Sequence, residues 1–470
     1  MTSERLQDPP FIWAALTLSG VVGLISVGLL VFKADLHALM LGALILVAVS
    51  ALTVARRSLP DIGQAIITGV WRARTALLIF ILIGALIAAL IQAGTVATLI
   101  YWGVKLIAPS WFLPTALILC SLMSIATGTA WGTAGTAGVI LIGIGSAMGL
   151  PLPIVAGVVV SGACFGDKMS PVSDTTNLAA MAAETDLYKH IRSMAYTTGP
   201  AFLIALIAFG VAGHYYHTHA LPESDLTTLT SAIHATYHVG WWTTVPLLVL
   251  IVMGILRVPA VYTMATSAVT AVITALIIQS ASFDSVMRAL WHGDTVDTGI
   301  ASLDSLFARG GVTSMWFTLV LSVQALSLGG MLSHFGYMRI VIRGLLARVR
   351  RIGSLVAVTI IAALMGNLGM GEAYMSIVLG GQLFAEKYDE MGIDRAVLSR
   401  CLEEGATLTT PLIPWTTAGV FFASTLGVPT VDYVGYAWLN LMNPLIGMIF
   451  AYIGWGLLTT RKPVTLANQK

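Results

Sequence analysis

Between Gly166 and Asn177 the chain reads Gly-Asp-Lys-Met-Ser-Pro-Val-Ser-Asp-Thr-Thr-Asn, placing two carboxylates, an ammonium and five hydroxyl or amide side chains around one proline. Pro171 removes a backbone donor and excludes a continuous helix through that point. The freed carbonyls, with the side-chain oxygens of Ser173, Asp174, Thr175, Thr176 and Asn177, form a dense set of hard ligands. Oxygen is what a hard cation prefers over nitrogen or sulfur. Asp174, Thr176 and Asn177 are the candidate Na⁺ ligands. A carboxylate among neutral oxygens can hold a proton or a cation, and the two exclude one another. The plainer reading of Asp174 is a helix cap, since Ser and Asp before an apolar run are common N-caps. Asp167 is expected to form a neutral pair with Lys168.

A second constellation lies 243 residues further on. Sliding residues 128–171 onto 371–414 superposes Gly128 on Gly371, Trp131 on Tyr374, Gly138 on Gly381, Gly149 on Gly392, Gly162 on Gly405 and Pro171 on Pro414. In this register Glu372 stands on Thr129, and Thr416 and Thr417 stand on Ser173 and Asp174. Glu372 is flanked by Gly366, Gly369 and Gly371 within apolar runs, and an ionisable residue inside a membrane is functional by default. Glu404 is expected to face the bundle, with Glu403 paired to Arg400 or Arg395.

The elements that must position these residues are membrane helices. Hydrophobic residues make up 57% of the chain and charged residues 10%, against about 25% charged in a soluble domain. Apolar stretches near the roughly 20 residues that cross a bilayer occur at 11–32, 36–55, 75–93, 111–126, 194–213, 239–256, 258–279, 315–333, 352–368 and 432–458. With the broken segments this predicts more than ten crossings. The first apolar run is too long for a signal-peptide core and reads as a transmembrane helix. The expected fold is an all-α polytopic membrane protein with re-entrant hairpins and broken helices. Paired discontinuous segments in two halves point to a transport site.

Basic residues set the orientation, because cytoplasmic loops are rich in Lys and Arg. Residues 56–74 carry Arg56, Arg57, Arg72 and Arg74, and residues 339–351 carry Arg339, Arg343, Arg348, Arg350 and Arg351. Both loops are placed inside, and the loops at 214–238 and 281–311 outside. Extending the register pairs Gly69 with Gly311, Gly94 with Gly336 and Pro200 with Pro444. Equivalent loops then have opposite charge character, as two repeats of inverted topology require. The predicted organisation is an N-terminal pair (1–55), repeat one (56–215), a connecting pair with outer loops (216–297), inverted repeat two (298–458) and a cytoplasmic tail (459–470) carrying Arg461 and Lys462.

Other chemistries find little support. Cys120, Cys164 and Cys401 are far apart in apolar settings and read as packing thiols. His214, His217, His219, His234 and His238 crowd one outer loop, most simply a solvated one. Nucleotide-binding loops, metalloprotease signatures, cofactor motifs and basic stretches suited to nucleic acid are not found, so the chain reads as a transporter and not an enzyme.

The runs Thr127–Thr133, Gly166–Asn177 and Thr410–Thr416 resemble the NhaC-type sodium/proton antiporter family, a resemblance extending over about residues 60–458. It implies an inner-membrane antiporter of the broader ion-transporter class, with inverted repeats, paired hairpins, a homodimeric assembly and elevator-like motion of a transport domain in the lipid bilayer. The transported partners it implies are Na⁺ and H⁺. The residues read as binding them are Asp174 as principal carboxylate and Glu372 as second, with Ser173, Thr175, Thr176, Asn177, Thr129, Thr416, Thr417 and Asp167 around them. Two departures stand out: Glu372-Ala373-Tyr374 replaces an acidic residue followed by Gln-Tyr, and Thr416 replaces an Asn after Pro-Trp. The same resemblance covers malate/lactate exchangers and amino-acid carriers, which keeps a small organic anion open as the alternative substrate.

Overall fold

The computed structural model describes residues 9–216, 223–294 and 296–459. Among these, regular structure is helical apart from one isolated bridge between Ile393 and Thr459. Ten helices are long and apolar enough to cross a membrane, and up to twelve crossings result if two bent helix pairs each count as one. The long helices carry exposed aliphatic side chains such as Ile45, Val49, Leu203, Ile207 and Val211. An apolar surface of that extent requires lipid rather than water as its solvent.

The span expected from the apolar run 239–256 is present as Trp241–Ile255, and helix Thr227–Thr236 meets it at 85° just before its start. The arm at Ala130–Ala147 is as long as a full span, interrupted only by a π turn at Ala134–Gly138. The tail residues Arg461 and Lys462, like His217 and His219, lie outside the described residues.

The 243-residue register holds at the level of backbone conformation. Gly128 ends helix Pro109–Thr127 and Gly371 ends helix Ile352–Met370, both left-handed at φ 68° and 69°. A side chain in that conformation is strained. The next residues, Thr129 and Glu372, begin new helices with φ, ψ of −148°, 123° and −149°, 130°. Further on, Ser173 and Thr416 each cap a short helix, Asp174–Ala182 and Thr417–Leu426. Each half thus contains a hairpin, then a helix that breaks near Pro171 or Pro414 and restarts.

The halves interlock reciprocally. Helix Asp174–Ala182 packs on Ala373–Glu390, and helix Thr417–Leu426 packs on the arm containing Ala134–Gly138. A Cβ on Gly381 would stand 2.3 Å from the Ala182 carbonyl oxygen, and one on Gly138 would stand 3.1 Å from Leu426 Cδ2. The two half-helices are thus each seated against a glycine at the same position of the 243-residue register.

Candidate functional site

The site is built where the first broken helix restarts. Ser173 accepts a hydrogen bond from the Thr176 N–H at 3.4 Å, satisfying one of the donors a helix start leaves open. The cap is Ser173; Asp174 is the first helical residue, so its carboxylate is free for other work. Asp174 Oδ1 accepts from the Thr175 N–H at 2.9 Å, and Oδ2 accepts from the Tyr374 hydroxyl on the opposite repeat. Ser173 and Thr175 hydroxyls lie 3.0 Å apart. Thr176 donates to the carbonyls of Asp167 and Lys168 at 3.2 and 3.1 Å, closing the break. Asn177 Nδ2 donates to the carbonyls of Pro171 and Ser173 at 3.1 and 2.7 Å.

The second break contributes Glu372, buried at 4% exposure, whose carboxylate accepts from the Thr417 hydroxyl. The Thr417 N–H donates to the Gly371 carbonyl at 3.0 Å, fixing the hairpin tip to the restarted helix. Thr416 accepts from the Gly419 N–H at 3.0 Å and donates to the Thr410 carbonyl at 2.6 Å. Thr129 accepts from the Gly132 N–H at 3.2 Å, a cap on its own helix. Buried Asp167 lies within electrostatic reach of Asp174 and Glu403, and Ser173 stands against its carboxyl. Of these carboxylates Asp174 is exposed, whereas Asp167, Glu372 and Glu403 are buried. The arrangement is a graded one, from an accessible carboxylate into a closed polar interior.

Two pairings differ from the sequence expectation. Lys168 Nζ approaches Glu404 at 3.9 Å and not Asp167, because adjacent residues on a helix point to different faces. Arg400 likewise reaches Glu404, its Nε 3.8 Å away at i,i+4, while Glu403 has no hydrogen-bond partner on either oxygen. Arg395 pairs instead with Glu184 and Asp389. Glu404 also accepts from the Thr197 hydroxyl, and Arg400 donates to the Ser193 and Gly456 carbonyls at 3.3 and 2.9 Å. Lys168, Arg400, Glu403 and Glu404 are all fully buried, and charges this deep require partners.

Tyr374 is the side chain of this site that sequence reasoning passed over. The sequence places it in register with Trp131 and in the Glu372-Ala373-Tyr374 hairpin turn, without assigning it a role. The Arg400–Glu404 pair was also readable from its i,i+4 spacing. His234 meets the ring of Tyr101 at 6.0 Å.

The helices and the two facing breaks define a polytopic membrane transporter built around discontinuous helices. Residues 162–455 match the model of the Na⁺/H⁺ antiporter family, and the chain belongs to that family. It is 34% identical to the Na⁺/H⁺ antiporter NhaC of Alkalihalophilus pseudofirmus over 97% of both chains. It is 36% identical to a malate-2H⁺/Na⁺-lactate antiporter of Bacillus subtilis, covering 84% of this chain and 85% of that one. An arginine/ornithine antiporter, ArcD of Halobacterium salinarum, is 30% identical over 95% of this chain and 93% of its own.

Proposed function

We propose that the protein exchanges Na⁺ for H⁺ by alternating access across the bacterial cytoplasmic membrane, with Asp174 as the shared site. The observation that carries this reading is the accessible Asp174 carboxylate at a helix break, bracketed by Ser173, Thr175 and the Tyr374 hydroxyl. Protonated, Asp174 is neutral; deprotonated, it supplies the one negative charge that a sodium ion needs, and neutral oxygens complete the shell. Thr176 and Asn177 use their hydrogens on backbone carbonyls, which orients their oxygens without consuming the lone pairs. Glu372, tied to Thr417, is the second carboxylate of the site. Thr416 and Thr129 serve as caps that hold the two hairpins.

The reciprocal seating of the half-helices supports reading residues 56–215 and 298–458 as inverted repeats. The homodimeric assembly is proposed on the family resemblance alone. Exchange of malate, lactate or an amino acid is the second reading, favoured by the two relatives bearing such names. It requires a cation or a half-helix N-terminus to receive the carboxylate. The buried cations at the broken arms, Lys168 and Arg400, are already turned to Glu404, which favours the inorganic ion. Proteoliposome fluxes with Na⁺ and H⁺ alone, then with malate, lactate and amino acids added, separate the two. Full exchange without any organic solute supports Na⁺/H⁺ antiport, and an absolute requirement for one refutes it.

A further inference from the structure

A polar cavity of about 140 Å³ lies between the amphipathic helix Leu59–Arg72 and the end of helix Trp316–His334, far along the chain from the ion site. One buried water needs only about 10–15 Å³ of such volume, so the space suits a polyatomic group. Its polar lining is Thr68, Arg72, Ser333 and His334. Arginine, two hydroxyls and an imidazole are the donors that phosphate oxygens accept from.

The floor exists because two glycines meet there: a Cβ on Gly69 would stand 2.8 Å from Gly330 Cα and 2.4 Å from the Leu326 carbonyl oxygen. No carboxylate lines the cavity. Asp61 on the same helix lies within electrostatic reach of His334 and Arg57 but is engaged in the helix cap, accepting from the Ser58 N–H at 2.9 Å and hydroxyl at 2.7 Å. Arg57 lies over the ring of Phe335, the residue after His334, 5.7 Å from its centre. On the same helix Ile67 and Trp71 are about two-thirds exposed, an apolar face beside a basic pocket. Such an amphipathic element lies at the headgroup boundary.

We propose that this cavity binds the phosphate of an anionic membrane lipid, with Arg72 and His334 as its principal contacts and the acyl chains lying along Ile67 and Trp71. Basic pockets between membrane helices on the cytoplasmic side hold such headgroups. The lipid would bridge the interfacial helix to the core span across the glycine contact. The proposal rests on the fold and not on the transported ion.

The test uses the full chain in detergent, titrated with phosphatidylglycerol, phosphatidylcholine or inorganic phosphate while thermal unfolding is followed, and with bound lipid counted by native mass spectrometry. Phosphatidylglycerol should raise the melting temperature and remain bound. Arg72→Gln and His334→Gln should each lose most of that shift while keeping the lipid-free melting temperature. Phosphatidylcholine and inorganic phosphate should give little. Equal shifts from phosphatidylcholine, a full shift from inorganic phosphate alone, or wild-type lipid retention in both variants would each overturn the proposal. Should a variant unfold, Thr68→Val with Ser333→Ala removes two donors without touching charge, and unchanged lipid retention there counts against the site as well.

Discussion

Asp174 and Thr417 occupy equivalent places, each the first residue of a short helix behind a capping hydroxyl, yet their surroundings are opposite in kind. Asp174 is met by the hydroxyl of Tyr374. The residue in register with Tyr374 is Trp131, which stacks on Phe421 at 4.7 Å and on Phe80 at 5.3 Å. Glu372 receives Thr417, whereas its counterpart Thr129 only caps its own helix. Arg400, Glu403 and Glu404 correspond to Gly157, Val160 and Ser161. The two halves share backbone breaks, but the polar chemistry gathers on one side of the internal symmetry and an aromatic stack fills the other. On the proposed function, matching backbone breaks frame an ion site where Asp174 meets Tyr374 and an aromatic packing layer where Trp131 meets Phe421.

The comparison is tested most severely at Glu404 and Ser161. Glu404→Gln leaves Lys168 and Arg400 buried without their anion, and breaking a buried pair this way costs about 3–5 kcal/mol. Loss of folded, monodisperse protein or a large drop in melting temperature is the expected result. Ser161→Ala removes a buried hydroxyl that has no hydrogen-bond partner, and the melting temperature should hardly move. Similar losses in both variants would erase the distinction between the halves.

A smaller effect is expected at the aromatic pair. Tyr374→Phe removes one hydrogen bond to Asp174, worth on the order of 1 kcal/mol at a partly solvated site, or roughly fivefold in ion affinity. Sodium dependence of exchange and its pH profile should both shift. Trp131→Phe should change them less than about twofold. A sodium shift of the same size in Trp131→Phe would place the ion on the wrong side of the symmetry.

The smallest effect distinguishes the two caps. Ser173→Ala and Thr416→Ala should each cost about 1 kcal/mol of stability, the usual worth of an N-cap. Beyond that shared loss, Ser173→Ala should weaken sodium affinity and Thr416→Ala should not, because Thr416 spends its hydroxyl within its own turn. Equal sodium effects in the two variants would return Thr416 to the ion shell.

Much of this was readable in the chain. Apolar runs located the spans, and Pro171, Pro414 and the glycines marked the breaks, since each acts on the backbone at its own position. The contact between Tyr374 and Asp174 was not, because 200 residues separate them and hydrophobic periodicity carries no information on which faces meet. Lys168 was misassigned for a nearer reason: sequence adjacency to Asp167 suggested a pair, yet neighbours on a helix diverge and the real partner comes from the other repeat. The helix Thr227–Thr236, turned by 85° against Trp241–Ile255, also escaped, because its residues are too polar to stand out as an apolar run.

The central claim is that Na⁺ and H⁺ compete for Asp174. Purified wild type and Asp174→Asn, reconstituted at equal density, should be compared for Na⁺-driven proton flux across a range of pH and Na⁺. The account predicts that raising Na⁺ lowers the apparent proton affinity of the wild type, and that Asp174→Asn, folded and inserted, exchanges nothing, because an amide can neither release the proton nor balance the sodium charge. Exchange by Asp174→Asn at the wild-type rate with the wild-type pH dependence would contradict it.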